Sequence, residues 1–186
     1  MPASAAKKKS KSPPAPKPAP SSTALPLVRG ALNPHALDLR QVRTVKLRDD
    51  GRALPDDSRE HSAVLYPDFG LVFPRIRPIE VSDNYQDKGA ASTAAREFKL
   101  FGQNCDQADL REQLVMIDYG KRWPAVNRDL FPEMPDSGCL WTATPHPSLS
   151  GAAFVVFLNG GYVASYDRGY SGLVLPVLRV GSAASQ

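Results

Sequence analysis

The amino-acid sequence predicts an α+β domain that follows a Lys/Pro-rich N-terminal segment. The composition changes sharply after residue 26, and short alternating apolar segments occupy both ends of the remaining chain. Between them lie two helical patterns and a long loop punctuated by prolines. Strands that are grouped apart from helices are typical of the α+β class. We therefore expect one domain over residues 27–186, with two helices and a mostly antiparallel, twisted sheet, after a disordered tether over residues 1–26.

The tether is predicted from its composition. Residues 1–26 hold 7 of the 18 prolines and 5 of the 23 Lys/Arg residues, and they contain no acidic residue. Without them the formal net charge changes from +4 to −1, so the basic character of the sequence belongs to the tether. Such a segment is either a solvated linker or a contact for nucleic acid or another acidic surface. The residues that would make this contact are Lys7, Lys8, Lys9 and Lys11.

Targeting signals are not recognisable in the sequence. No segment has the roughly 20 apolar residues that a membrane-spanning helix requires. The basic residues near the N-terminus are followed by Pro, Lys and Ser, and not by the apolar core of a signal peptide. We expect synthesis in the cytoplasm and no membrane contact, while assembly into a virion or export without a standard signal stays open.

The first half of the domain predicts strands and turns. In QVRTVKLRDDGR, apolar residues alternate up to Leu47, and the DDG that follows is a strong turn signal. The segment AVLYPDFGLVFPR predicts a hairpin whose bend is Pro67-Asp68-Phe69-Gly70.

Two helices are predicted in the middle of the chain. The first is an Ala-rich, proline-free segment over about residues 92–101. In the second, CDQADLREQLVMIDYG, Asp106 is the predicted N-cap, Asp109 suits the positive N-terminal end, and Gly120 lies where a C-cap is expected. Its apolar residues recur at three- and four-residue spacing: Leu110, Leu114 and Ile117.

The C-terminal third predicts a buried strand and a tight turn. From Phe154 to Leu158 apolar residues occupy both faces, which is typical of a central strand, and Asn159-Gly160-Gly161 predicts the turn. We expect Trp141 to fill core volume. Trp123 follows two basic residues, and it either anchors the long loop or presents an exposed contact.

Residues for catalysis or metal binding are not arranged in any recognisable motif. Cys105 and Cys139 are expected to be buried thiols. The alternative is a disulfide bond between them, which requires that the protein reaches an oxidising compartment. None of the three histidines has a partner at a motif spacing, and the sequence has no nucleophile elbow, phosphate loop or paired-His site. We therefore expect no enzyme activity, no cofactor and no metal.

The segment YVASYDRGYSG has the composition of a binding surface. Tyr, Ser and Gly dominate antibody paratopes, and Tyr and Arg are frequent hot-spot residues. The alternative is a polar hairpin that only faces solvent. We predict that the binding residues are Tyr162, Ser165, Tyr166, Asp167, Arg168 and Tyr170, assisted by Trp123 and His146.

Several motifs in a fixed order resemble the Lcl C-terminal domain family, which lies at the C-terminus of bacterial collagen-like adhesins. These motifs are Asp118-Tyr119, Pro124-Ala125-Val126, Phe131-Pro132, Trp141-Thr142-Ala143-Thr144, the strand from Phe154 to Gly160, and Leu178-Arg179. The segment Asp68–Phe73 is similar to an early strand of that family. The resemblance covers about residues 64–180 and is strongest from 114 to 180.

The resemblance implies a C-type-lectin-like fold, related to formylglycine-generating enzymes and to the variable proteins of diversity-generating retroelements. It implies a display role, phage- or retroelement-associated, with a glycan or protein receptor and a homo-trimer as the expected oligomer. An intracellular module whose basic tether contacts nucleic acid is the alternative.

The chain departs from the family in one segment. LFGQNCDQADL stands where members carry Trp-Arg-Leu-Pro. The sequence also lacks the Glu-Pro-Asn, Gln-Pro-Asp and Trp-Asn-Asp triplets of calcium-dependent lectins, so calcium-dependent sugar binding is not expected.

Overall fold

The computed structural model describes residues 42–85 and 89–180. The predicted tether, with Lys7, Lys8, Lys9 and Lys11, lies outside the described residues. The described part contains two helices and twelve strands. The helices are α1 (Ala90–Glu97) and α2 (Leu110–Val115). The strands are β1 (Val45–Leu47), β2 (Ala63–Tyr66), β3 (Leu71–Pro74), β4 (Ile79–Val81), β5 (Lys99–Leu100), β6 (Gln103–Asn104), β7 (Asp106–Gln107), β8 (Cys139–Pro145), β9 (Ala152–Phe157), β10 (Val163–Asp167), β11 (Gly172–Val174) and β12 (Pro176–Arg179).

Two five-stranded sheets form the frame of the domain. The strand order is β1-β2-β3-β12-β7 in the first sheet and β10-β9-β8-β11-β4 in the second, while β5 and β6 form a separate ribbon. Among the described strands every pairing is antiparallel except that of β11 with β8. The predicted α+β class, with two helices and mostly antiparallel sheets, is confirmed.

The predicted turns of the first sheet are confirmed. The hairpin β2–β3 closes through Pro67–Gly70, with Tyr66 opposite Leu71. The DDG turn closes through a hydrogen bond that the Gly51 amide donates to the Arg48 carbonyl (3.0 Å). Gly51 and Gly70 have positive φ (80° and 64°), which glycine adopts without a steric penalty.

Helix α1 is shorter than predicted and shifted towards the N-terminus. It spans Ala90–Glu97, where the sequence predicted residues 92–101. The chain leaves the helix at Phe98, and β5 and β6 pair around Phe101 and Gly102, which have positive φ (53° and 76°). Two consecutive residues with positive φ are typical of a tight hairpin turn. The hairpin replaces the last helical turn because it directs Leu100 into a cluster with β1, β2, β3 and β12.

Helix α2 begins at a different cap from the predicted one. Asp109, not Asp106, is the N-cap: its Oδ1 accepts the Glu112 amide (2.8 Å), and Glu112 Oε2 accepts the Asp109 amide (2.8 Å). This reciprocal capping box satisfies two otherwise unpaired amides, whereas Asp106 lies in β7. The helix ends at Val115, with Met116 and not Gly120 as the C-cap.

Removal of this cap is expected to destabilise the domain. Asp109→Ala leaves an amide of the first helical turn unpaired, and we expect the free energy of unfolding to fall by about 1 kcal/mol. Urea denaturation followed by circular dichroism measures this change. Asp49→Ala removes an exposed carboxylate of the β1 turn and is the matched control. Equal midpoints for the two variants would contradict the capping assignment.

The first half of β8, in the middle of the second sheet, is buried on both faces. Leu140 of β8 packs into a cluster with Phe73, Phe131 and Leu158, whereas the next residue, Trp141, packs with α1. Successive side chains of a strand point to opposite faces, so one strand supplies both clusters. The predictions that Trp141 lies in the core and that the strand after Phe154 is central are confirmed.

Buried His61 predicts a pH dependence of stability. Its Nε2 lies 2.8 Å from the Leu130 carbonyl. Burial lowers the pKa of His61 below the usual 6.5, and the nearby positive charges of Arg75 and Lys46 lower it further. Because the unfolded chain then binds a proton that the folded chain does not, the free energy of unfolding is expected to fall as the pH drops below 6.5. Denaturation at pH 7.5 and 5.5, roughly one unit on either side of the ordinary histidine pKa, measures this loss. This loss of stability at low pH should be absent in His61→Gln and retained in His146→Gln. The same loss in both variants would show that His61 is not its cause.

Candidate functional site

Four aromatic side chains form a continuous row on one face of the β9–β10 hairpin, and we call this row the aromatic strip. The rings of Phe157 and Tyr162 are stacked, with centroids 4.6 Å apart and planes at 11°. Phe157 also contacts Tyr166 (5.8 Å), and Tyr166 meets Tyr170 edge to face (6.0 Å). The three tyrosines are 51 %, 40 % and 61 % exposed in chain order, so the strip presents both ring surface and hydroxyl groups to solvent.

The register of the hairpin explains why the tyrosines lie together. β10 pairs with β9 so that Ala164 lies opposite Val155 and Tyr166 opposite Ala153. Residues two apart along a strand share a face, which places Tyr162 and Tyr166 on the face of Phe157. β10 is an edge strand of its sheet, so these side chains have a neighbouring strand on one side only.

Two turns set the ends of the strip. At one end Gly161, with φ of 71°, donates its amide to the Phe157 carbonyl (2.7 Å), and this turn places Tyr162 over Phe157. At the other end Asp167 Oδ1 accepts the Gly169 amide (2.8 Å). The Asp167 carbonyl accepts the Tyr170 amide (3.1 Å), which places Tyr170 against Tyr166. Asp167, predicted as a binding residue, thus also shapes the turn.

Ser165 and His146 lie on the opposite face of the hairpin from the strip. Ser165 pairs with Phe154, and the His146 ring lies 5.4 Å from the Phe154 ring. Because strand residues alternate, this pair cannot share the face of Tyr166. The predicted binding residues are therefore divided between two faces of the hairpin, and the three tyrosines lie together on the face of Phe157.

Arg168 differs from its predicted place on the exposed surface. It is only 4 % exposed, and its guanidinium donates to the carbonyls of Ala152 (Nε, 3.3 Å) and Asn84 (Nη1, 3.2 Å). The backbone reinforces this contact, since the Asn84 amide donates to the Arg168 carbonyl (2.7 Å). The side chain therefore joins the hairpin to the segment before α1, and the prediction that it lies on the exposed surface with the tyrosines is corrected.

The loop before β8 borders the strip at its Gly161 end. Trp123 is 59 % exposed, and its amide donates to the Asn159 carbonyl (3.4 Å). A Cβ on Gly161 would lie 3.3 Å from Cε1 of Tyr119, whose side chain is also exposed. Of the two alternatives for Trp123, the structure favours an exposed side chain on an anchored backbone.

The sequence did not predict three aromatic site residues, one in the strip and two beside it. Tyr85 is exposed, and its hydroxyl lies 3.0 Å from the position that a Cβ on Gly169 would occupy, so it borders the Tyr170 end. Tyr119 borders the other end, and Phe157 is the ring of the strip that contacts both Tyr162 and Tyr166. Pairing across the predicted Asn159–Gly161 turn, where the Phe157 amide donates to the Tyr162 carbonyl (2.9 Å), could have identified Phe157, whereas no local pattern brings Tyr85 to the hairpin.

The cysteines are free thiols in the described chain. Cys105 is buried and Cys139 is half-buried, so the predicted burial is complete for the first and partial for the second. Burial raises the pKa of the Cys105 thiol to about 11 and also raises that of Cys139, so both are protonated at neutral pH. Protonated thiols are weak nucleophiles.

Across residues 42–85 and 89–180, no cluster of three or more His, Cys, Asp or Glu side chains is placed to hold a metal ion. In the same part of the chain, no helix combines the length and apolar character needed to cross a membrane. No protein-family model matches the chain, and neither a curated protein nor a solved structure matches it.

Proposed function

We propose that the domain is a non-catalytic recognition module that binds a glycan or a protein surface through the aromatic strip. The observation that carries this proposal is the exposure of three tyrosines in one row of contacting rings. Tyrosine supplies a large amphipathic contact area at a small cost in conformational entropy. Clustered exposed aromatic groups are also the usual centres of binding energy in interfaces.

The strip is organised before any ligand binds. Each tyrosine ring is held by a neighbouring ring, and Phe157 supports two of them from its position in a central strand. Side chains that are already ordered lose less rotational freedom on binding, which favours affinity. Among the described residues no hydrogen bond engages the hydroxyls of Tyr162, Tyr166 or Tyr170, so all three can bond to a ligand.

The resemblance to the Lcl C-terminal family supports the same function. Lectin-like domains bind ligands through their C-terminal loops. The strip lies in the corresponding part of this chain, between residues 157 and 170. In this proposal the N-terminal tether attaches the domain to a larger assembly, such as a phage tail structure or a retroelement-diversified display protein, and the domain assembles as a trimer.

A binding screen with matched variants tests the proposal. The full chain is applied to a glycan array and to cell-surface protein extracts, beside a variant that carries Tyr162→Ser, Tyr166→Ser and Tyr170→Ser. We expect the variant to stay folded by circular dichroism, because all three side chains are exposed. Its binding should weaken by about tenfold or more, as expected when hot-spot residues are truncated.

Two controls make the screen selective. Phe69→Ser removes an equally exposed aromatic side chain from the β2–β3 turn of the other sheet and should retain binding. Neutralisation of Lys7, Lys8, Lys9 and Lys11 should also retain it. Binding that survives in the folded tyrosine variant, or that is lost when the tether is neutralised, would overturn the proposal in favour of another surface or of the tether.

A further inference from the structure

A polar pocket of about 260 Å³ lies apart from the aromatic strip, and its lining contains none of the strip residues. Three arginines contribute to the lining: Arg96 of α1, Arg168 after β10 and Arg179 of β12. Asp106 is the acidic residue of the lining. The side chains of Arg96 and Arg179 are 48 % and 43 % exposed, so the pocket is accessible from solvent.

Arg179 is held in one orientation by two carboxylates. Its Nε and Nη2 donate to Glu112 Oε1 and Oε2 (2.6 and 2.7 Å), and its Nη1 donates to Asp106 Oδ2 (3.1 Å). Arg96 lies 3.6 Å from the other oxygen of Asp106. Among the described residues, three guanidinium groups therefore meet two carboxylates at this pocket.

Arg168 is the cation of this group that lacks a carboxylate partner within the described chain. Its side chain bonds to two backbone carbonyls through Nε and Nη1, and no described residue bonds to Nη2. Burial of a charged group without an opposite charge is costly, and that cost is offset when a counter-ion is bound. This arginine lines the pocket, so an anion in the pocket would supply the missing charge.

The amides of the pocket wall position Arg168. Asn84 Nδ2 donates to the Thr142 carbonyl (3.0 Å), and Gln107 Nε2 donates to Asn84 Oδ1 (2.8 Å). Because the carbonyl of the same Asn84 accepts from Arg168, this chain of bonds connects the guanidinium to β8 and β7. A guanidinium in a fixed orientation is suited to planar oxygen groups, which it binds through parallel hydrogen bonds.

We propose that this pocket binds a small oxyanion group, a carboxylate, sulfate or phosphate, with Arg168 and Arg96 as its ligands. A water molecule occupies about 30 Å³ of liquid, so the pocket has room for such a group together with several waters. The anionic group is either a free ion or a substituent of a larger ligand. This site is independent of the function proposed for the aromatic strip.

Titration calorimetry of the full chain tests the site. Inorganic phosphate, sodium sulfate and sodium acetate are titrated separately, at low ionic strength and with chloride as the background ion. We expect saturable binding of one ion per chain for at least one of the three, and the preferred ion identifies the chemistry of the group. Arg96→Gln should weaken this binding by about tenfold or more, because it removes a charged hydrogen-bond donor.

Three further variants keep the result interpretable. Arg43→Gln removes an exposed arginine that pairs with Asp68 and should bind the ion as the wild type does. A folded Arg168→Lys variant should lose binding although the charge is retained, because lysine lacks the planar guanidinium that donates parallel hydrogen bonds. The triple tyrosine variant should retain binding, which separates this site from the strip. Absence of saturable binding for all three ions, or equal affinity in Arg96→Gln, would overturn the proposal.

Discussion

Replacement of Trp141 by alanine is expected to lower the free energy of unfolding by about 3–5 kcal/mol, enough to unfold a marginally stable domain. Trp141 is 0 % exposed and packs against α1 in the cluster that contains Val155 and Val174. Truncation to alanine removes the buried indole and leaves a cavity that the strands on either side can fill only in part.

The measurement is urea denaturation at neutral pH, followed by far-ultraviolet circular dichroism. Trp123→Ala is the matched control, because it removes the same side chain from a site that is largely exposed. We expect the control to change stability by less than about 1 kcal/mol. A Trp141→Ala variant as stable as the Trp123→Ala variant would show that the indole is not part of the core.

Gly172→Ala is expected to destabilise the domain by about 1–3 kcal/mol through overpacking. A Cβ at Gly172 would lie 2.6 Å from Nε1 and 2.8 Å from Cδ1 of Trp141, and 3.2 Å from the sulfur of Cys139. The indole is fully enclosed, so it cannot move away without a shift of its neighbours. Gly151→Ala is the control, since its nearest atom would lie at an ordinary 3.6 Å.

The cause of the Gly172 effect can be isolated by a double-mutant cycle. Residues in direct contact show coupled effects on stability, and distant residues show additive ones. If the clash with the indole is responsible, Gly172→Ala should cost much less in the Trp141→Ala background than in the wild type. Additive effects of the two substitutions would contradict this explanation.

Local patterns were sufficient to predict the turns and the buried strands. The bend at Pro67–Gly70 and the Asn159–Gly161 turn depend on residues that are adjacent in sequence, and both are present. The central strand after Phe154 has apolar residues on both faces because each face packs on a different cluster. In these cases the local preference and the tertiary packing agree.

The helix boundaries could not be predicted because tertiary contacts decide them. Both Asp106 and Asp109 are good N-cap residues, and the choice depends on the pairing of Asp106 with Val177 in β12. The end of α1 depends on the burial of Leu100 against β1 to β3 and β12, which is a long-range contact.

The site was predicted in part for the same reason. The tyrosines in and around β10 are visible in the sequence as a polar-aromatic segment, and the alternation of a strand already places Ser165 and Tyr166 on opposite faces. The burial of Arg168 depends on Asn84, which lies 84 residues earlier in the chain. A charged residue in a turn-rich segment is normally exposed, so no sequence pattern indicated this contact.

Tyrosine modification in the presence of a bound ligand tests the central claim most directly. The full chain is treated with a tyrosine-nitrating reagent, alone and with the glycan or protein captured in the screen, and modification at each residue is quantified by mass spectrometry. Buried Tyr66, whose pKa is raised by burial, is the internal control and should stay unmodified in both samples. We predict that Tyr162, Tyr166 and Tyr170 are modified in the free protein and protected in the complex. Equal modification of these tyrosines in the free and bound states would contradict recognition through the aromatic strip.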